Sequence, residues 1–134
     1  MRALHFFAIE ISVFALLYMG LTVYVIKTRR RLQVAVGEGS DSVLLRAIRA
    51  QGNFAEQVPI FLLLQLTLIL LHAPLWSVVA LFLLMLVGRL SHAYGLLVAE
   101  QRPQPVFTFR VAGMACTFFS LGFSVLTLLI LALG

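Results

Sequence analysis

The chain has 134 residues, 62% of them hydrophobic and 11% charged, with a formal net charge of +5. Its mean hydropathy of +1.06 excludes an ordinary water-soluble domain, for which roughly 45–50% apolar residues is usual. The single cysteine, Cys116, excludes an internal disulfide and a cysteine metal cluster.

Apolar runs near the ~20 residues needed to cross a bilayer recur four times, at about 4–26, 55–71, 76–99 and 106–133. They predict an all-α integral membrane protein, a four-helix transmembrane bundle forming one domain over 1–134. The helices are expected at about 3–27, 42–72, 76–99 and 106–133.

The first run is longer than the ~7–15 apolar residues of a signal peptide and lacks a small-residue cleavage site. It leads into Lys27-Thr28-Arg29-Arg30-Arg31, a stop at the membrane surface. The three arginines are read either as surface anchors that meet anionic lipid heads or as part of a binding site. Glu10 stands alone among Ile9, Ile11 and Val13. In such a place it must carry a proton or pair across a subunit contact.

The linker Gly37-Glu38-Gly39-Ser40-Asp41-Ser42 permits a turn, and Asp41 or Ser42 can cap the second helix. That helix opens with Arg46, Arg49, Asn53 and Glu56. At about 100° per residue these four lie within about 80° of one another. A charged stripe entering a bilayer must face a protein interior, a cavity or a ligand. Pro59 follows where the stripe gives way to leucines, and a kink is expected there.

The turn His72-Ala73-Pro74 is short enough to force an antiparallel hairpin. The third helix carries Gly88-Arg89-Leu90-Ser91-His92-Ala93-Tyr94-Gly95. Arg89 and His92 share a face, and Tyr94 points about 140° away from Arg89. Arg89, deep in apolar sequence, calls for a partner inside the bundle. His92 is a proton donor or an interior histidine, and Tyr94 suits an interface belt. Arg110 begins the fourth helix, in which Cys116 reads as a small core residue.

Nine of the ten basic residues fall toward the loop end of such a bundle, and only Arg2 toward the end bearing both termini. The positive-inside rule then places the loop end in the cytoplasm and the termini outside. This clustering, at a membrane surface, argues against a nucleic-acid partner. No phosphate-binding glycine loop and no paired His/Cys spacing for a metal occurs.

Arginines on three helices suit a ligand with several carboxylates, Glu56 an ammonium group, and Asn53 an amide. Glutathione has that inventory, and a nearby arginine would favour its thiolate. The surrounding apolar helices would admit lipophilic small molecules from the bilayer.

Arg46-x-x-Arg49-Ala-Gln51-x-Asn53-x-x-Glu56-x-x-Pro59 with its leucine run, Gly88-Arg89-Leu-x-His92-x-Tyr94-Gly95, and Val34-Ala35-Val36-Gly37-Glu38-Gly39 resemble the membrane-associated proteins in eicosanoid and glutathione metabolism. The last stretch is similar to small bacterial members. The resemblance implies a homotrimer of four-helix subunits in the bacterial inner membrane. It also implies glutathione, as co-substrate, bound between neighbouring subunits on the cytoplasmic side. By that resemblance Arg29 or Arg30 stabilises the thiolate. Arg49, Asn53 and Glu56 bind glutathione, and Arg46, Arg89, His92 and Arg110 lie around it. Eicosanoid-pathway members carry tyrosines where this chain has Gln57 and Leu96, which points away from a leukotriene or prostaglandin role.

The leading expectation is a membrane-bound glutathione-dependent transferase or peroxidase acting on lipophilic electrophiles or hydroperoxides. The alternative is a non-catalytic membrane protein that binds anionic lipid, or assembles, through the same cationic crevice.

Overall fold

The computed structural model describes residues 2–134. Four helices, α1 (Arg2–Leu32), α2 (Ser42–Leu70), α3 (Leu75–Leu97) and α4 (Thr108–Leu133), are joined by loops and one 3₁₀ turn at Ala99–Gln101. Each of the four is long and apolar enough to span a membrane. The protein is an integral membrane protein built as an all-α four-helix bundle.

The helix boundaries follow local chemistry. α1 runs past its apolar stretch, and Arg29, Arg30 and Arg31 form its last turn, where cations oppose the partial negative charge of the helix end. The following loop turns at Gln33, Gly37 and Gly39, all at positive φ, and Arg29 ties it down by donating Nη1 to the Gly37 carbonyl at 2.7 Å. Asp41 then caps α2, its Oδ1 accepting from the Val43 and Leu44 amides at 2.8 and 3.0 Å. A cap of this type contributes about 1 kcal/mol.

α2 continues through Pro59 to Leu70. Proline has no N–H to offer the carbonyl one turn back, and beside it a cavity of about 320 Å³ opens between α1 and α2 against Phe54 and Val58. The α2–α3 hairpin turns on His72 at φ 58°. Trp76, the only tryptophan in the chain, stands 74% exposed in the first turn of α3.

The apolar core gathers around Phe14 of α1. Its ring meets those of Phe54, Phe61 and Phe82 edge-on at 6.0, 6.1 and 5.5 Å, and Leu68, Val78 and Met85 are buried with it. α1 leans mainly on α2, and α3 is paired most extensively with α4.

Glycine sets the closeness of that second pair. A Cβ on Gly113 of α4 would lie 2.5 Å from the His92 amide nitrogen and 2.6 Å from the Gly88 carbonyl oxygen. A Cβ on Gly95 would lie 2.7 Å from the Arg110 amide nitrogen. The two backbones therefore touch, as small residues permit between membrane helices. This contact fixes the register of Arg89 and His92 against Arg110 and Thr117.

Candidate functional site

At the loop end a crevice of about 490 Å³ opens between α2, α3 and α4. α2 lines it with Arg49, Asn53 and Glu56, α3 with His92, and α4 with Arg110. Five of the residues expected at a site therefore surround one cavity. Arg49 and Glu56 lie seven residues apart on α2, about 10 Å along the axis, so opposite charges stand at the two ends of the α2 wall. Leu96 closes another side, where a phenol is absent.

Arg89 belongs to the scaffold of this crevice and not to its lining. It is 2% exposed, and its Nη1 donates to Asn53 Oδ1 at 2.6 Å. Its Nη2 donates to the Thr117 hydroxyl and reaches the Met114 sulfur at 3.5 Å. The expected partner of Arg89 within the bundle is thus an amide and a hydroxyl. Because Arg89 holds the oxygen of Asn53, the amide nitrogen is the group left to donate elsewhere.

Arg110 is fixed differently. Its Nε lies 3.1 Å from Glu100 Oε1, the ion pair formed among the described residues, and its guanidinium rests 5.6 Å from the centre of the Phe107 ring. Glu100 is buried in the 3₁₀ turn, whereas the Arg110 side chain is 42% exposed. A cation so placed keeps donors free for a further anion.

Arg29 and Arg30 line a separate cleft of about 360 Å³ at the end of α1, with Gln33 and Val34. This cleft shares no lining residue with the crevice. Arg46 is half-buried near the start of α2 and lines neither space. No group of three or more His, Cys, Asp or Glu able to hold a metal occurs among the described residues.

The sequence profile of the MAPEG family matches residues 7–132, from the first turns of α1 to the last turn of α4. This chain belongs to the MAPEG family. It is also 36% identical over 107 residues to "Inner membrane protein YecN" of Escherichia coli (strain K12), covering 80% of this chain and 77% of that protein. It matches the protein of the same name in Escherichia coli O6:H1 equally well. No solved structure matches the chain significantly.

Two acidic residues of this MAPEG chain escaped the sequence reading. Glu38, from the α1–α2 loop, also lines the crevice, and Glu100 anchors Arg110. Both lie in connecting segments, where neither helical period nor hydropathy assigns a direction. The available signal was that each is an acid placed among the cations of a strongly basic end of the molecule.

Proposed function

We propose that this MAPEG protein binds glutathione in the loop-end crevice and directs its thiolate at lipophilic electrophiles or hydroperoxides arriving through the bilayer. The observation that carries the reading is the joint placement of Arg49, Asn53, Glu56, His92 and Arg110 around one cavity. The donor set fits the ligand. Glu56 suits the γ-glutamyl ammonium, and the amide nitrogen of Asn53 suits a peptide carbonyl. Arg49 and Arg110 suit the two carboxylates.

An arginine beside the sulfur lowers the thiol pKa from its free value of about 8.5. With an electrophilic carbon, the thiolate then forms a C–S bond as the leaving group departs with its electron pair. Arg29 and Arg30 are the candidates for this role, supplied by a second copy of the chain. Arg49 and Glu56 are exposed on a single protomer, and charged side chains facing lipid are costly. A homotrimer that covers them with a neighbour's α1 end relieves that cost. The loop end is cytoplasmic in this reading. The membrane is the bacterial inner membrane, in keeping with the printed name of the Escherichia coli relatives.

A second reading, an anionic-lipid binder without catalysis, draws on the separate cleft around Arg29 and Arg30. Calorimetry of the detergent-solubilised protein with glutathione decides between them, together with the ultraviolet absorbance of the bound thiolate. Saturable binding with enhanced thiolate absorbance supports the first reading. Absence of binding in a protein that is trimeric by native mass spectrometry overturns it.

A further inference from the structure

The opposite end of the bundle, which carries the termini, holds a second polar cluster. Glu10 of α1 is 0% exposed within one protomer, so its carboxylate faces the bundle interior and not a neighbouring subunit. Neither carboxylate oxygen has a hydrogen-bond donor. Gln65 of α2 is also fully buried and lies within reach of Glu10. Its Nε2 donates to the Val78 carbonyl of α3 at 2.9 Å, and its Oε1 has no donor. The two Glu10 oxygens and Gln65 Oε1 are therefore buried acceptors without a donor, on neighbouring side chains of α1 and α2.

Among the described residues no cation answers them. The ionisable side chains described at this end are those of Arg2 and His5 on α1 and His72 in the α2–α3 turn, and all three are exposed. The neighbouring turns of α2 and α3, and the matching end of α4, bring no charged or titratable side chain. A bare carboxylate in such surroundings is strongly disfavoured, so the compensating charge must come from outside the chain. Neither Glu10 nor Gln65 lines any of the cavities described above, in keeping with an occupant of atomic size.

We propose that Glu10 and Gln65 form a buried site for one small monocation, Na⁺ or a proton. Carboxylate and amide oxygens are the ligands that hard cations prefer. In the proton form the Glu10 hydroxyl donates to Gln65 Oε1. In the sodium form the ion bridges the same oxygens. Either occupant ties α1 to α2 at the termini end. Val78 and Arg89 are three turns apart on α3, about 16 Å, so the site is separate from the crevice and independent of the glutathione reading.

The test uses the full-length protein in detergent, titrated with NaCl or with choline chloride at equal ionic strength. Dicyclohexylcarbodiimide, which adds across the O–H of a protonated carboxyl, is the probe, and peptide mass spectrometry locates the adduct. Melting curves from acid to alkaline pH are recorded beside it for the parent and for Glu10→Gln. Labelling at Glu10 that Na⁺ slows several-fold, with a melting point raised by Na⁺, identifies the sodium form. Labelling indifferent to Na⁺, with a melting point that falls at alkaline pH equally in both salts, identifies the proton form. In both cases Glu10→Gln loses the dependence, because its amide supplies a donor permanently. A parent and a Glu10→Gln variant that respond identically to pH and to Na⁺ overturn the proposal, whether or not the carbodiimide reacts.

Discussion

Replacing Gly113 by alanine would put a methyl group 2.5 Å from the His92 amide nitrogen and 2.6 Å from the Gly88 carbonyl oxygen, about 0.9 Å inside ordinary contact. Both obstacles are helix backbone, so no side chain can swing aside and α3 must part from α4. Overpacking of this type costs about 1–3 kcal/mol, or roughly a 5- to 150-fold loss in the folded-to-unfolded ratio. The separation also moves His92 and Arg110, which both line the crevice. Glutathione affinity is therefore expected to fall together with the melting temperature. Gly122→Ala is the control on the same helix, because a Cβ there meets nothing within 4 Å. Alanine favours helix over glycine by up to about 1 kcal/mol, so this variant should melt no lower than the parent. Thermal melts of the three proteins in one detergent compare them directly. Equal melting of Gly113→Ala and Gly122→Ala would refute the argument that backbone contact sets the α3–α4 distance.

Glu56→Gln keeps the shape of the crevice and removes a charge. Loss of one charge-assisted hydrogen bond, about 1.5–3 kcal/mol, should weaken glutathione binding tenfold or more by calorimetry, with an unchanged melt because Glu56 has no ion-pair partner among the described residues. Gly52→Leu fills the crevice from a position where a Cβ meets nothing within 4 Å, and it should abolish glutathione binding while leaving the melting temperature within a degree or so of the parent. Arg89→Met strips Asn53 and Thr117 of their shared donor, and it should lower the melting point as well as the affinity, unlike Glu56→Gln. A reporter that is active only in the cytoplasm, fused after Gly134, should stay dark if the basic loop end is cytoplasmic.

The four spans were legible because hydropathy over ~20 residues depends on composition and not on contacts. The α2 stripe was legible for a related reason: helical period alone brings Arg49, Asn53 and Glu56 to one face, and the crevice lies on that face. Arg46 belongs to the same stripe, yet it starts a turn too early and remains beside the loop. Arg89 shows where the period runs out. Its rotation relative to His92 follows from sequence, but whether it opens on a cavity or on a neighbouring helix depends on how α3 meets α4. Gly88, Gly95 and Gly113 decide that by contacts between segments distant in the chain. Glu10 is the same case in α1, since a lone acid in an apolar run gives no sign of the Gln65 that awaits it. α2 remains helical from Ser42 to Leu70 through Pro59, where the kink is expected, because one missing hydrogen bond is a local loss within a long span.

The sole tryptophan offers an optical ruler. Trp76 stands 74% exposed at the termini end of α3, at the level where indole rings favour the headgroup layer. Its emission comes from one place in the chain, remote from the crevice. In vesicles carrying quenchers at graded depths, that emission reports how high the bundle rides in the bilayer. Because no second indole contributes, the same signal can follow reconstitution, bilayer thickness and subunit assembly without any added dye.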